Sequence, residues 1–170
     1  MLIRDTAVHL AHHAWIERRL YEVVGAWAAT SSDGEVAGLL AATAQHHAWH
    51  ASLLGERVPV VHDLDPAELE PAPGRAAYLD AVAASADDVE RLVALGQVVL
   101  PDLLRGYRTM LDDADPVTDA PVARALRLVV LDEQEDRQAA EVVLRSRLRD
   151  EDHVVRAAAH RSALERLLLS

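Results

Sequence analysis

Apolar residues recur every three or four positions along most of the chain, which is the spacing of one face of an α-helix. The first such stretch predicts a helix from about 4 to 30, and the second predicts a helix from about 35 to 57. Between them, Ser32-Asp33-Gly34-Glu35 has the sequence of a capping box, which satisfies the first backbone N–H groups of a helix. These two helices are therefore expected to form a closely connected pair.

A long connection rich in helix breakers follows, from 58 to 74. The breakers are Pro59, Pro66, Pro71, Pro73 and Gly74. Within the connection, Asp65-Pro66-Ala67-Glu68 predicts one short helical turn, because proline is favoured at the first position of a helix. Residues 75–85 predict a short helix after it.

The second half of the chain predicts another pair of long helices and a final one. The third long helix is expected after Ser85 and up to about Asp113, with Pro101 predicting either a kink or a fresh start. The fourth is expected to begin after Thr118 or Asp119. A last amphipathic helix is expected after Asp150 or Asp152, and it ends in three leucines.

Two closely connected helix pairs joined by a long connection predict an all-α fold. The arrangement is that of a four-helix bundle with one long crossover, plus an extra C-terminal helix. The alternative is a bundle in which successive helices alternate in direction and the middle loop contains additional short elements. The 170 residues are enough for one substantial core, so we expect a single domain over 1–170.

Composition limits the residues that could bind a metal ion and the partners that the protein could have. The formal charge of −11 argues against a nucleic-acid partner, which requires a clustered positive surface. The chain has no cysteine, so a metal ion would have to be held by His, Asp or Glu. No apolar run approaches the roughly 20 residues that span a bilayer, and the N-terminus lacks the apolar core of a signal peptide. We therefore expect a cytoplasmic protein without a membrane partner.

Histidines and carboxylates interrupt the apolar faces of three of the four long helices. Six of the nine histidines lie in two short runs, 9–13 and 46–50. The candidate groups are His9, His13 and Glu17 in the first helix, His46, His47 and His50 in the second, and Glu133 and Asp136 in the fourth. Polar groups are costly in a core unless they satisfy one another or share an ion.

The spacing of these groups suits a metal ion but leaves alternatives open. Side chains three or four residues apart on a helix face the same way, so the pair His47 and His50 can hold one ion. The same residues can instead form a hydrogen-bonded polar core with Glu133 and Asp136, or act as metal-free acid and base. Glu17 can support His13 or form an ion pair with a neighbouring arginine, and His46 lies on the flank of its helix.

Three segments carry a resemblance to the ferritin-like superfamily. QHHAWHASLLGERVP is similar to the second helix of ferritin-like proteins, in which Glu-x-x-His is followed by small and leucine residues. LDEQEDRQAAEVVL is similar to their fourth helix. VVLPDLLRGYRTMLDDADPVTDAPVARALRLVV resembles the junction of the third and fourth helices in ferritin-like proteins encoded by actinomycetes. The resemblance spans roughly residues 5–148.

The resemblance implies a metal site with an altered ligand set. Its metal ligands fall near His13, on His47 and His50, and on Glu133 and Asp136. His replaces Glu in the first two helices, Asp136 replaces a histidine, and the third helix has no inward carboxylate. These departures favour a single ion, with iron first and manganese, zinc or copper as alternatives.

The function that the resemblance implies is a metal-dependent oxidoreductase acting on a small organic molecule, in specialised metabolism. The alternatives are a non-catalytic binding or structural protein and a metal-free acid–base enzyme. The small residues Thr43, Gly96 and Ala140 are expected to leave room for a ligand. The sequence leaves open whether the protein is a monomer or a homodimer.

Overall fold

The computed structural model describes residues 2–169, and none of these residues lies in a β-strand. The positions 1 and 170 of the expected single domain lie outside the described residues. The helices are α1 (Ile3–Thr30), α2 (Gly34–Gly55), α3 (Pro73–Ala83), α4 (Asp88–Val93), α5 (Leu100–Asp112), α6 (Ala120–Arg147) and α7 (Glu151–Leu168). A 3₁₀ turn covers Pro66–Leu69, and a π-helical segment covers Ala94–Val99. The prediction of an all-α fold is confirmed.

Aspartate side chains cap the starts of α2, α4 and α7, as their short length allows. Asp33 Oδ1 accepts hydrogen bonds from the backbone N–H groups of Glu35 and Val36. The N-cap of α2 is therefore Asp33, and the expected capping box on Ser32 is wrong by one residue. Asp150 caps α7 in the same way.

No loop or turn interrupts the third long helix at Pro101, which lies in the first turn of α5. The chain from Asp88 to Asp112 is continuously helical through α4, the π segment and α5. Proline has no N–H to donate to the carbonyl four residues earlier. The widened π turn ends directly before it, where the backbone N–H of Leu100 donates to Leu95. The π segment thus absorbs the missing hydrogen bond without a break in the helix.

Helix α2 runs antiparallel to both α1 and α6. The short turn at 31–33 reverses the chain between α1 and α2. Between α2 and α6, Asp33 near one end pairs with Arg147, and His50 near the other end contacts Asp132. The order of these contacts shows that α2 and α6 run in opposite directions.

The third long helix runs antiparallel to α1. Its start lies at the end of α1, where the Ser31 hydroxyl donates to Asp88 at 2.8 Å. Further along, the Tyr107 hydroxyl donates to Glu17 near the middle of α1. The segment 56–87 therefore travels from one end of the molecule to the other before α4 begins.

The core lies between these long helices and is built mainly from leucine, valine and alanine. Helix α7 packs against α3, α4 and the π segment. Gly96 in the π segment approaches α6 so closely that a Cβ there would lie 3.1 Å from the Cβ of Ala140. These two small residues bring helices together, so they do not leave the room for a ligand that we expected. No helix formed by residues 2–169 is both long and apolar enough to cross a membrane.

Candidate metal centre

Four ionisable side chains meet in the middle of the core. They are Glu17 on α1, His47 and His50 on α2, and Glu133 on α6, and the side chain of each is 0% exposed. One potential ligand atom from each lies within 4.8 Å of the other three. Three helices thus place two imidazoles and two carboxylates around one point.

Helix geometry explains why these four residues converge. His47 and His50 are three residues apart, so both project from the inward face of α2. Glu17 and Glu133 occupy inward positions of α1 and α6, the two helices that flank α2. Neighbouring inward positions on the same helices are occupied by apolar residues, which remove water from the cluster.

Three of the contacts have the separation expected between ligands of a shared ion. His50 Nδ1 lies 3.3 Å from Glu133 Oε1 and 3.6 Å from Glu17 Oε2, and His47 Nδ1 lies 3.5 Å from Glu133 Oε1. Ligands bound tetrahedrally at about 2.0–2.2 Å from a metal lie about 3.3–3.6 Å apart. The exception is a direct hydrogen bond of 2.6 Å between His47 Nδ1 and Glu17 Oε2.

Several buried polar atoms of the cluster have no hydrogen-bond partner. Both carboxylate oxygens of Glu133, Nδ1 of His50 and Nε2 of His47 are unpartnered. Leaving such groups unsatisfied costs free energy, because they lose their hydrogen bonds to water on burial. The donor set and its unpartnered atoms fit a metal ion, which would coordinate several of these atoms at once.

Two further side chains hold the candidate ligands in place. Asp132 Oδ2 lies 3.2 Å from His50 Nε2, so Asp132 can accept that N–H and leave Nδ1 directed at the cluster. The Tyr107 hydroxyl donates to Glu17 Oε1, the oxygen that faces away from His47. A carboxylate behind a ligating histidine is typical of metal sites, where it fixes the tautomer and the ring orientation.

The cluster shifts the pKa of each of its members. Burial disfavours the charged forms, but His47 and His50 outweigh it at Glu17 and hold the pKa of that carboxyl well below its usual range. Burial and the charge of Glu17 raise the pKa of Glu133. The two carboxylates outweigh burial at the imidazoles, raising the pKa of His47 and raising that of His50 to about 10. Burial, followed by the charge of Glu17, raises the pKa of Tyr107 well above 10, so its hydroxyl stays a donor.

The structure brings together His47, His50 and Glu133 of the main predicted ligands, together with Glu17 from the additional candidates. His13 lies outside this group: its ring packs on Tyr107 with 4.5 Å between ring centroids, and burial lowers its pKa to about 4.

The other predicted residues also lie outside the group of four. Asp136 pairs with Nδ1 of His46 at 2.8 Å, so these two candidates satisfy each other beside the cluster. His9 is exposed at the surface of α1. Arg137, the residue after Asp136, pairs with Glu141.

Sequence reasoning missed Tyr107 and Asp132 as neighbours of the cluster. Tyr107 lies in the third long helix, and helical spacing alone cannot show that its hydroxyl reaches α1. Asp132 directly precedes Glu133 in the chain, and its side chain is 26% exposed. No signal in the chain distinguished it from other surface carboxylates.

The buried Glu/His/His/Glu cluster in an all-helical fold resembles the di-iron site of ferritin-like proteins. Comparisons with models of protein families, with curated proteins and with solved structures returned no match to this chain.

Proposed function

We propose that Glu17, His47, His50 and Glu133 bind one divalent metal ion, and that the protein is a metal-dependent oxidoreductase acting on a small organic molecule. The observation that most supports a metal site is the environment of the Glu133 carboxylate. Both of its oxygens are buried without a hydrogen-bond partner, yet Oε1 lies 3.3–3.5 Å from two imidazole nitrogens. A bound cation would satisfy this carboxylate and account for its place in the core.

The donor set is compatible with a redox-active ion. Two imidazoles and two carboxylates suit iron, manganese or zinc, and two histidines with a carboxylate are the ligands of many non-haem iron oxygenases. Four protein ligands complete the coordination of a tetrahedral metal ion, whereas they leave coordination positions open on an octahedral ion. Iron bound here would supply one-electron chemistry with dioxygen as the oxidant and the organic molecule as the reductant.

The chain's own residues prepare the site for that role. Asp132 orients His50, and Tyr107 holds Glu17 through its hydroxyl. Because all four candidate ligands are fully buried, bulk water is excluded from them. Exclusion of water strengthens each electrostatic interaction and limits side reactions.

The fold supports the same assignment. We propose a ferritin-like four-helix bundle with a long crossover and an added C-terminal helix. What supports it is that α1 and the third long helix are antiparallel, as are α2 and α6, while 56–87 spans the length of the molecule. In such bundles, facing helices supply the ligands of core metal sites.

A structural centre is the second candidate, and one observation favours it. The hydrogen bond of 2.6 Å between His47 and Glu17 shows that the cluster can satisfy part of its own polarity. In that case the four residues would stabilise the core, with or without a closed zinc ion, and would do no redox chemistry.

Oxygen uptake distinguishes the two candidates. Metal-free protein is loaded with ferrous iron without oxygen, and uptake is then followed with an electrode after air is admitted. We expect faster uptake than with Glu133→Gln, whereas Glu135→Gln, an exposed carboxylate on the same helix, behaves like the unaltered protein. Iron that binds but gives the same uptake in all three proteins would support the structural centre.

A further inference from the structure

One surface cavity reaches the neighbourhood of the candidate metal centre. The ring of His13 packs on Tyr107 at 4.5 Å between centroids, and the Tyr107 hydroxyl donates to Glu17. On its other side, His13 lines a cavity of about 290 Å³ between α1, α3 and α5. We call it the His13 cavity, and its walls are His9, His13, Arg75, Asp102, Arg105, Gly106, Thr109 and Met110.

The position of this cavity differs from that of four other surface cavities of the described residues. None of those four is lined by Glu17, His47, His50, Glu133, Tyr107 or His13. The ligands themselves are fully buried, so an organic molecule cannot touch them in this conformation. In the His13 cavity such a molecule lies within two side chains of the centre, because His13 contacts Tyr107 and Tyr107 donates to Glu17.

The charges in the His13 cavity fit a monoanion. Asp102 accepts a hydrogen bond from Arg105 at 3.0 Å through one oxygen and contacts Arg75 at 2.8 Å through the other. One carboxylate thus faces two guanidinium groups, which leaves one positive charge unbalanced. Each guanidinium carries five N–H donors, so both retain donors for a second carboxylate.

The remaining walls fit the organic part of such a ligand. Met110 and the ring of His13 supply apolar surface, and burial keeps the imidazole neutral near pH 7. Gly106 makes this wall possible, because a Cβ there would lie 3.0 Å from Cε1 of His13. A volume of 290 Å³ is at the small end of the range for small-molecule pockets.

We propose that the His13 cavity binds a small organic carboxylate and is the substrate site of the centre. The carboxylate lies between Arg75 and Arg105, and the organic part lies against His13. Its assignment as a substrate site rests on the proposed function, whereas binding of the carboxylate does not depend on a metal ion.

Benzoate is a suitable probe, with benzyl alcohol as the uncharged control. Titration of metal-free, ¹⁵N-labelled protein should shift the amide resonances of His13, Arg105 and Gly106 in a saturable way, and benzyl alcohol should not. Arg105→Gln should weaken benzoate binding by about tenfold, the worth of a charge-assisted hydrogen bond. The Arg105 side chain is 68% exposed, so this variant should fold. Arg108→Gln, an exposed change on the same helix outside this cavity, should bind benzoate normally.

Three outcomes would overturn the carboxylate site: no saturable shift, equal binding by Arg105→Gln, or binding of inorganic phosphate as tight as that of benzoate. Gly106→Ala gives a second check, since its new methyl group displaces His13 and should reduce binding without altering any charge.

Bound Mn²⁺ tests separately whether the His13 cavity is the substrate site of the candidate metal centre. With Mn²⁺ bound, the paramagnetic ion should broaden the resonances of bound benzoate, and Glu133→Gln should abolish the broadening while benzoate still binds. Broadening absent despite bound Mn²⁺ would overturn the role as substrate site. Failure of Mn²⁺ to bind would instead count against the proposed function, and the metal-free titration would still decide the carboxylate site.

Discussion

Glu17 and Glu133 are identical side chains in one fully buried cluster, yet their pKa values shift in opposite directions. Glu17 accepts hydrogen bonds from His47 and Tyr107, whereas Glu133 accepts none. The metal-free cluster therefore keeps protons on its imidazoles and disfavours the charge of Glu133. A metal ion would have to displace those protons in order to bind.

Metal binding near pH 7 should therefore release protons. His50 has its pKa raised to about 10, so Nδ1 must lose a proton before it can ligate. Calorimetric titration with Mn²⁺ should give binding enthalpies that differ between PIPES and Tris buffers, and affinity should rise about tenfold per pH unit for each proton released. Equal enthalpies in the two buffers would mean that metal binding releases no protons. That result would contradict protonated imidazoles in the metal-free cluster.

The raised pKa of His50 also predicts how the stability of the metal-free protein depends on pH. A raised pKa on His50 stabilises the fold fully below about 6.5, and this stabilisation is lost as the pH rises through about 10. The melting temperature of protein treated with chelator should fall between pH 7 and pH 10. A melting temperature that rises over this range would show that His50 is not held charged.

Asp132 is expected to tune the site without being a ligand. Replacing Asp132 with asparagine removes the charged acceptor behind His50 Nε2, which in other metal sites lowers affinity by about tenfold to a hundredfold. Competition with a chelator of known affinity measures the change, and Glu135→Gln serves as the control. Unaltered affinity would mean that the contact of 3.2 Å does not orient His50.

The helical periodicity of the sequence predicted part of this four-residue cluster. His47, His50 and Glu133 interrupt apolar faces, and the periodicity exposed all three. Glu17 lies one turn after His13 on α1, and spacing alone could not decide which of the two reaches α2. That choice depends on how α1 is rotated against its neighbours, which only the packing of all helices determines.

At the scale of elements, the π segment sets the distance between the third long helix and α6. Its Gly96 faces Ala140 with only 3.1 Å available to a Cβ. Pro101 marked this region in the sequence, where the pattern predicted a kink or a restart. A widened turn was not foreseeable, because it depends on whether the neighbouring helix leaves room for it.

Gly96→Ala should therefore destabilise the protein, although alanine favours helix by about 1 kcal/mol over glycine. The added methyl group meets the fixed Cβ of Ala140, and overpacking of this kind costs about 1–3 kcal/mol. The matched control is Gly38→Ala on the exposed face of α2, where a Cβ meets nothing within 4 Å. Urea denaturation should show Gly96→Ala less stable and Gly38→Ala more stable than the unaltered protein. Stabilisation by both changes would contradict the close packing.

At the scale of the whole molecule, the direction of the third long helix decides the topology. Two helix pairs with a long connection fit either direction, so the sequence left a crossover and an alternating bundle open. In the structure Asp88 lies beside Ser31 at the end of α1, so 56–87 spans the length of the molecule, as the proposed crossover requires. That path depends on contacts of the connection with α1, which no local pattern encodes.

Engineered cysteines test this topology, since the chain has none of its own. The pair Ser31→Cys with Asp88→Cys should form a disulfide under mild oxidation, because these side chains are already in contact at 2.8 Å. The pair Ser31→Cys with Asp112→Cys joins α1 to the opposite end of the third long helix and should not. Intact mass measured after oxidation distinguishes the two proteins, and the reverse result would require an alternating bundle.

Elemental analysis shows whether Glu17, His47, His50 and Glu133 hold a metal ion. Purified protein and the Glu133→Gln and Glu135→Gln variants are measured by inductively coupled plasma mass spectrometry, before and after anaerobic incubation with ferrous iron. We predict close to one equivalent of metal in the unaltered protein and in Glu135→Gln, and its loss in Glu133→Gln. No bound metal in the unaltered protein after incubation, or equal metal in all three proteins, would contradict the account.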